Sequence, residues 1–491
     1  MQEAGPGKNG NRESPEGTLS RPLVVDLDGT LLKSDMLLET GLAYVRQSLT
    51  GCLRPFAWLT SGKARLKEGL AQASDIDVAV LPYNPAVLQL IHTEREKGRM
   101  IVLATASHIC VAKRIAEHLN VFDQVFATQD GVNLSSHRKR ELLVRTYGEK
   151  GFDYVGNSKD DLEVWSSAHR AYVVDPEWGV RKRAVGLGNV EQVLVTCDSR
   201  SHAWLKALRI HQWLKNILIV VPLITAHQLW QGGALALAVL AFILFGLCAS
   251  SVYLLNDLVD LADDRHHRSK RLRPFAAGRI PILHGMLACP VLLVAAFVGA
   301  SLLLPWAFTI TLACYYLLTV AYSFWLKRQM ALDVIALALL YTLRIIAGAM
   351  AFSLELTFWL LAFSMFIFLS LALVKRYAEL HDARKKGSEG KTRGRGYYPA
   401  DLEMISAMGA ASGYLAVMVL AMYIHDPATA RLYSHPQVIW LACPVLLFWI
   451  TRVWMLTHRG QMHDDPVMFA AKDKLSLLTG AAFGIVFWVA S

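Results

Sequence analysis

Residues Asn256 to Gly278 read NDLVDLADDRHHRSKRLRPFAAG, a dense cluster of carboxylates and cations directly behind a long apolar run. That run, residues 234–255, is long enough to cross a hydrocarbon layer of about 30 Å at about 1.5 Å per helical residue. Asp257, Asp260 and Asp264 have the spacing i, i+3, i+7, which predicts one face of a helix that continues from the run. Three like charges on one face repel, and a divalent cation would neutralise them. The stretch therefore predicts a membrane helix that leads into a cation site.

The charges of this stretch also predict a phosphorylated substrate. Mg²⁺ prefers hard oxygen ligands with a phosphate as co-ligand, and Lys270, Arg271 and Arg273 supply donors for phosphate oxygens. The alternative is a solvated loop whose basic residues only orient the chain in the membrane. Because solvation explains the charges but not the helical spacing of the acids, we favour a site for Mg²⁺ and a phosphate.

The composition divides the chain into a soluble part and a membrane-embedded part. The 491 residues are 54% hydrophobic, which is too apolar for an ordinary soluble protein of this length. The long apolar runs are confined to residues 213–491, whereas residues 1–205 have the frequent charges of a globular domain. Much of the net charge of +10 lies in loops between the apolar runs, so we expect a membrane and no nucleic acid as partner. Residues 1–20 lack an apolar core and are predicted to be a disordered tail.

Nine membrane spans are predicted from apolar length, and the loops between them indicate an orientation. The first span is short and contains Pro222, which predicts a kinked or broken helix. Basic residues concentrate in the loops after every second span, which places these loops on the cytoplasmic side. We therefore expect an integral protein of the bacterial inner membrane, with the soluble domain and the active sites facing the cytoplasm. The predicted spans are residues 216–229, 234–255, 285–304, 306–321, 331–351, 357–374, 403–424, 437–456 and 474–490.

Ionisable residues within or at the ends of the spans indicate functional positions, because a charge in hydrocarbon is costly and persists mainly where it has a role. Asp333 and Arg344 lie eleven residues apart in the fifth span, which is about three turns and places them on roughly the same face. Asp333 has an alternative role as a carboxylate favoured by the helix dipole. Lys375 and Arg376 end the sixth span.

Together these features resemble the UbiA superfamily of intramembrane prenyltransferases. The run NDLVDLADD fits the pattern N-D-x-x-D-x-x-x-D, and Asp333 follows the segment YSFWLKR. The resemblance covers about residues 205–491 and implies an all-α bundle of nine transmembrane helices, in which two acidic motifs bind Mg²⁺ and an isoprenoid (di)phosphate. The catalytic residues that it implies are Asn256, Asp257, Asp260 and Asp264, and the implied Mg²⁺ ligands are Asp257, Asp260, Asp264 and Asp333.

Four segments are more similar to the bacterial branch that makes polyprenyl-phosphate phosphoribose than to aromatic prenyltransferases: RIHQWLKN, KRLRPFAAG, YSFWLKR and LALVKRYAEL. This resemblance implies transfer of a phosphoribosyl group from phosphoribosyl diphosphate to a lipid phosphate. The expected partners are an isoprenoid or polyprenyl phosphate lipid, a phosphorylated small-molecule co-substrate and the membrane. The second motif of aromatic prenyltransferases is typically D-x-x-x-D, but here Leu337 stands four residues after Asp333. The predicted substrate-binding residues are Lys215, Lys270, Arg271, Arg273, Tyr322, Lys327, Arg344, Lys375 and Arg376.

The soluble half begins with a strand that delivers two carboxylates. Residues 23–32 read LVVDLDGTLL. Asp26 and Asp28, at i and i+2, fall on the same side of the pleat, and Gly29 allows an immediate turn. Three further segments follow in order: a strand MIVLATAS with Thr105, a helical stretch with Lys139, and YVGNSKDDLEVW, a strand followed by an acidic loop.

These four segments resemble the haloacid dehalogenase superfamily of phosphatases and phosphotransferases over about residues 22–195. The resemblance implies an α/β (Rossmannoid) domain, and residues 36–90 are expected to form a helical cap over its site. It implies that Asp26 is the nucleophile and Asp28 the general acid/base. Thr105 and Lys139 would hold phosphoryl oxygens. The Mg²⁺ ligands that it implies are Asp26, Asp28, Asn157 and Asp161.

Asn157 departs from the family pattern, because the fourth motif usually begins Gly-Asp and here reads Gly156-Asn157. An amide oxygen can still coordinate, but the missing charge weakens Mg²⁺ binding. An inactive scaffold therefore remains an alternative to a working phosphatase.

We thus expect a multidomain protein with a haloacid dehalogenase-like domain at residues 21–200 and a UbiA-type transmembrane domain at residues 205–491. Fusion indicates consecutive reactions, in which the membrane half makes a lipid-phosphoryl pentose 5-phosphate and the soluble half removes the 5-phosphate. One alternative is an aromatic prenyltransferase for a 4-hydroxybenzoate or quinone-type acceptor, with a regulatory or degenerate phosphatase domain. Another is a transporter or lipid-binding protein that kept the bundle and lost the chemistry.

Overall fold

The computed structural model describes residues 21–47, 54–196, 200–229, 232–387, 390, 395–426, 433–462 and 465–490. The predicted tail at residues 1–20 lies outside the described residues. The chain forms two compact units. The first comprises the described residues up to Ala203 together with Leu258–Leu283, and the second those of Trp204–Asp257 and His284–Ser491.

The first unit contains a six-stranded sheet with the strand order β3-β2-β1-β4-β5-β6. The strands are β1 Leu23–Val25, β2 Ile101–His108, β3 Gln124–Thr128, β4 Asp153–Gly156, β5 Ala171–Val174 and β6 Val190–Leu194. All neighbouring strands are parallel. Leu23 and Val25 pack in one hydrophobic core and Val24 in another, so both faces of β1 are buried, as is typical of parallel sheets. The predicted α/β class is confirmed.

Strand order decides where a site can form in this sheet. The chain runs from β1 through β2 to β3 on one side and then returns to place β4 on the other side of β1. Open parallel sheets bind ligands at the carboxyl ends of the strands where the order reverses. The residues that follow β1, β2 and β4 therefore meet at this edge.

Helices connect the strands of the first unit. Pro85–Glu96 shows why one of them begins where it does, because the side chain of Asn84 accepts a hydrogen bond from Ala86 N and Pro85 suits the first turn. The helices of this unit are Met36–Gln47, Arg54–Thr60, Lys63–Ala73, Pro85–Glu96, Ile109–Leu119, Ser136–Tyr147, Asp161–Ser167 and Val180–Val185. The region between the first two motifs is thus mainly helical, as its sequence predicts.

Apolar helices dominate the second unit. Within the described residues, seven are long and apolar enough to cross a membrane, and two bent helix pairs raise the number to nine if each pair is one span. The first pair, Ser201–Ala207 with Ile210–Thr225, bends by 47°. Its break precedes the predicted first span, residues 216–229, and does not fall at Pro222 as the sequence predicts. The second pair, Pro466–Lys472 with Lys474–Ala490, bends by 85°. The seven single helices are Ala234–Val259, Ile282–Leu303, Trp306–Phe324, Leu332–Ala351, Phe358–Lys385, Pro399–His425 and Pro436–His458.

The acidic motif corrects one prediction. The helix Ala234–Val259 includes Asp257 but ends at Val259, and Asp260 precedes a separate short helix, Leu261–His266. The expectation that the three aspartates line one continuous helix is therefore wrong. Like charges one turn apart destabilise a helix, which favours a break at Asp260.

Candidate functional site

The predicted residues of the first unit come together at the expected edge of the sheet. Asp26 and Asp28 follow β1, Thr105 lies in the last part of β2, and Asn157 follows β4 directly. Lys139 reaches the same place from the helix Ser136–Tyr147 and is buried. Four segments that are distant in sequence thus converge on one site.

Asp26 takes part in a buried hydrogen-bond network. The Lys139 ammonium donates to Asp26 Oδ1 at 2.6 Å and to the Tyr154 hydroxyl at 2.9 Å. Tyr154 in turn donates to Asp161 Oδ1 at 2.7 Å. Burial raises the pKa of Asp26 to about 7, although the nearby Lys139 charge opposes the rise. A carboxylate held this way is shielded from water and is positioned beside a cation.

Asp28 sits in a different environment. Its carboxylate accepts from the Ser107 hydroxyl at 2.7 Å, from Thr105 at 3.5 Å and from Met36 N at 2.8 Å. Burial raises the pKa of Asp28 to about 6, and the charge of Asp35 adds to the rise. A carboxyl group with this pKa can release and take up a proton near neutral pH, as a general acid/base must.

Asp161 organises the loop after β4. Its Oδ2 accepts from Asn157 N at 3.0 Å, from Ser158 N at 2.9 Å and from the Ser158 hydroxyl at 2.8 Å. The Asn157 side-chain oxygen accepts from Thr30 at 3.3 Å. Gly29 has φ of 74°, and a Cβ there would collide with the Asn157 amide. Only glycine therefore suits this close approach of the loops after β1 and β4.

Lys67 was not predicted, although it contributes a cation to this edge of the sheet. It extends from the helix Lys63–Ala73, and its ammonium donates to Ala106 O at 2.6 Å and to Asn133 Oδ1 at 2.9 Å. Burial lowers the pKa of Lys67, while the charge of Asp28 opposes that change. No local pattern identifies Lys67, because its neighbours come from distant segments. Ser107 and Tyr154 were also missed, although both lie in the motif segments.

In the second unit, two cationic side chains lie over the ring of Tyr341. Lys215 Nζ and the Arg344 guanidinium lie 5.4 Å and 5.5 Å from the centre of the Tyr341 ring. The Tyr341 hydroxyl donates to Asp465 Oδ1 at 3.1 Å. The same carboxylate pairs with Lys215 at 2.8 Å and with Lys375 at 3.3 Å. Three predicted substrate-binding cations thus meet at Asp465 and Tyr341; we call these five residues the cation cluster.

Arg344 is buried among neutral partners. Its guanidinium donates to Asn216 Oδ1 at 3.1 Å, to the Tyr315 hydroxyl at 3.1 Å and to Leu340 O at 2.5 Å. Close helix packing makes the first contact possible, because a Cβ at Gly348 would collide with the carbonyl oxygen of Ile219. In the described part of the chain, the hydrogen bonds of Arg344 therefore go to groups without charge.

Asp333 belongs to a different set and does not join Arg344. It is fully buried and pairs with Arg376 at 2.7 Å and with Arg395 at 3.5 Å. Tyr322 donates to it at 2.9 Å, and Glu379 pairs with both arginines. Among the described residues of this set, two carboxylates face two guanidinium groups. The role of Asp333 as a Mg²⁺ ligand stays a prediction.

The acidic motif also has cationic partners. Asp257 pairs with Arg209 at 2.5 Å in the second unit, and Asp264 pairs with Arg273 at 2.6 Å in the first. The remaining predicted residues of these segments are exposed or partly exposed: Asn256, Asp260, Lys270, Arg271 and Lys327.

Metal ligands were predicted for both halves. Among the residues that the structure describes, no group of three or more His, Cys, Asp and Glu side chains lies close enough together to hold a metal ion. The donor set itself, carboxylate oxygens with one amide oxygen, is the chemistry that Mg²⁺ prefers. The predicted ligands therefore fit Mg²⁺ by chemistry, and their assignment remains a prediction.

Sequence reasoning missed several residues of the second unit, among them Arg209, Tyr341, Arg395 and Asp465. Arg209 lies within the quoted segment RIHQWLKN. Asp465 precedes Pro466 and accepts from Val467 N at 3.2 Å, so its local pattern is typical of a helix start and hides its contacts with distant lysines.

Comparison with known proteins defines the class. The UbiA prenyltransferase family matches residues 219–478, and the haloacid dehalogenase-like hydrolases match residues 23–166. The first match covers more than half of the chain. The protein belongs to the UbiA prenyltransferase family, carries an N-terminal haloacid dehalogenase-like domain and is an integral membrane protein.

Three relatives are similar to this chain over most of their own length. An uncharacterized protein of Sinorhizobium fredii, y4nM, is 38% identical over 96% of this chain and 91% of its own length. The nodulation protein NoeC of Azorhizobium caulinodans is 38% identical over 57% of this chain and 92% of its own length. The decaprenyl-phosphate phosphoribosyltransferase of Mycobacterium tuberculosis is 34% identical over 58% of this chain and 91% of its own length.

Proposed function

We propose that the membrane domain, residues 205–491, transfers a phosphoribosyl group from phosphoribosyl diphosphate to a polyprenyl phosphate. The soluble domain, residues 21–200 with a helical cap at about 36–90, then removes the 5-phosphate of the product. In the transfer, a phosphate oxygen of the lipid forms a bond to C1 of the ribose, and the bond from C1 to the diphosphate breaks. The similarity to the mycobacterial phosphoribosyltransferase supports this choice of substrates.

The cation cluster is the observation that carries the proposal. Lys215, Lys375 and Arg344 bring three positive charges; the two lysines share the Asp465 carboxylate, and Arg344 lies over the Tyr341 ring. Cations in an apolar bundle are costly and indicate a functional anion. A phosphate group offers several oxygens and negative charge to such cations. We infer that the cluster holds a phosphate of a substrate.

Asp26 would carry the second reaction. Its carboxylate oxygen attacks the phosphorus of the 5-phosphate and forms an aspartyl-phosphate, while Asp28 gives its proton to the leaving 5-oxygen. Asp28 then takes a proton from the water that releases inorganic phosphate. Thr105 and Lys139 hold phosphoryl oxygens during both steps.

Mg²⁺ is the proposed cofactor of both domains. The candidate ligands are Asp26, Asp28, Asn157 and Asp161 in the soluble domain and Asp257, Asp260, Asp264 and Asp333 for the transferase. When bound, the ion would neutralise phosphate charge in both reactions. The distribution of basic loops supports a cytoplasmic position of both active sites.

The test is transfer by the purified full-length chain in detergent. The protein is incubated with Mg²⁺, polyprenyl phosphate and phosphoribosyl diphosphate labelled in the ribose, and the lipid is extracted. We expect label in the lipid phase that depends on both substrates. A parallel reaction contains a prenyl diphosphate and 4-hydroxybenzoate. Prenylation of the aromatic acceptor without transfer of ribose would overturn the proposal in favour of an aromatic prenyltransferase.

A further inference from the structure

The segment Leu258–Leu283 folds with the first unit, although its sequence lies within the part of the chain that matches the UbiA family. It carries Asp260, Asp264 and Arg273, which the proposed transfer reaction uses. The residues that hold this segment in place therefore bear on that reaction.

One buried ion pair fixes the segment. Arg265 Nη1 and Nη2 donate to the two carboxylate oxygens of Glu39 at 2.8 Å and 2.6 Å, and both side chains are about 5% exposed. Arg265 Nε also donates to Ala276 O at 3.2 Å. A bidentate pair of this kind defines orientation as well as distance. A single guanidinium thus joins the helix Met36–Gln47, the short helix Leu261–His266 and the turn at Ala276.

Close packing supports the same attachment. Gly278 has φ of 65°, and a Cβ there would lie 2.6 Å from Lys33 Cβ. Two exposed pairs add to it, Arg46 with Asp263 at 2.6 Å and His266 with Asp77 at 3.0 Å. Exposed pairs contribute little to stability, so the buried Glu39–Arg265 pair is the strongest of these three ion pairs.

The acidic residues are close to this anchor in the chain. Asp264 immediately precedes Arg265 in the same short helix, and Asp260 is the residue before that helix. Arg273 donates to Asp264 at 2.6 Å. A change in the position of Arg265 would therefore move the carboxylates and the arginine of the motif together.

We propose that Glu39 of the soluble domain is a positioning residue for the transferase. It fixes the segment with Asp260, Asp264 and Arg273 through Arg265, and this role is independent of the nucleophile Asp26. The soluble domain then has two functions, its own hydrolysis and support of the transfer site. This inference rests on the proposed transferase function.

Glu39→Gln tests the inference in the full-length chain. We expect hydrogen–deuterium exchange of residues 261–278 to become faster, while strands β1 and β4 keep their protection. Transfer of ribose should fall by about 100-fold, the scale expected for a displacement of about 1 Å in an active site, and the Mg²⁺ concentration for half-maximal transfer should rise. The matched control is Arg46→Gln on the same helix, which removes the exposed pair and should leave all three readouts unchanged.

A variant in which the two charges of the ion pair are exchanged distinguishes loss of positioning from general misfolding. The variant with Glu39→Arg and Arg265→Glu should recover protection of residues 261–278 and part of the transfer activity that each single change removes. Normal exchange and normal transfer in Glu39→Gln would overturn the inference and leave the proposed function intact. Faster exchange with normal transfer would overturn it as well. Absence of transfer in the wild-type chain would instead overturn the proposed function, whatever the exchange shows.

Discussion

Replacement of Asp26 by Asn separates the two proposed reactions. The carboxamide keeps the shape of the side chain and an oxygen that can accept from Lys139, but it cannot form an aspartyl-phosphate. We expect lipid transfer to continue and the product to retain its 5-phosphate. The lipid product of the variant should therefore be that of the transfer step alone, without the dephosphorylation that follows in wild type.

The structure also gives a magnitude for the effect on stability. Burial raises the pKa of Asp26 from 3.8 to about 7, so between these pH values the folded domain keeps a proton that the unfolded chain has released. The free energy of unfolding therefore falls as the pH rises through this window, by up to about 4 kcal/mol at about 1.4 kcal/mol per pKa unit. Asn resembles the protonated acid. The variant should thus be more stable than wild type at pH 8 by up to that amount and equally stable at pH 4.

Two measurements check this prediction. Mass analysis of the extracted lipid, with Mg²⁺ present, reports the 5-phosphate, and hydrogen–deuterium exchange of β1 and β4 without Mg²⁺ reports the stability of the soluble domain at both pH values. Asp160→Asn is the control, because it removes an exposed carboxylate beside the same loop. Identical lipid products from wild type and Asp26→Asn would refute the role of Asp26. If wild type and Asp26→Asn were equally stable at pH 8, the buried charge of Asp26 would not destabilise the folded domain as we expect.

Asp257→Asn and Asp260→Asn should each abolish transfer with lower kcat and kcat/KM, because they remove proposed Mg²⁺ ligands; normal turnover in a variant that inserts normally would contradict the metal assignment. Arg273→Gln should raise the KM for phosphoribosyl diphosphate more than it changes protein yield, since one phosphate donor is lost; poor expression with normal kinetics would instead indicate a role in topology. Asn157→Asp should lower the Mg²⁺ concentration needed for phosphate release, because a charged ligand binds the ion more tightly; unchanged metal dependence would show that position 157 does not contact the ion.

Much of the soluble site could be predicted because its motifs lie at the ends of strands. Asp26 and Asn157 each follow a buried strand directly, and Asp28 lies two residues after Asp26. Parallel strands bring such positions to one edge. Lys67 could not be predicted, since its contacts with Ala106 and Asn133 depend on how the predicted cap region packs. Tertiary packing of this kind leaves no local pattern.

In the membrane half, too, some features could be predicted from the sequence and others could not. Apolar length identified the helices, and a charge in an apolar run singled out Arg344. The spacing of the acidic motif fits one continuous helix. It fits two helices with a break at Asp260 equally well, so the sequence could not reveal the break. Asp465 is 250 residues from its partner Lys215, and only the folded bundle brings them together.

The central claim is most directly tested with phosphoribosyl diphosphate that carries one label in the ribose and a different label in the 5-phosphate. With Mg²⁺ and polyprenyl phosphate, wild-type protein should place the ribose label in the lipid and release the phosphate label as inorganic phosphate. Asp26→Asn should place both labels in the lipid. Absence of the ribose label from the lipid in both proteins would contradict the account.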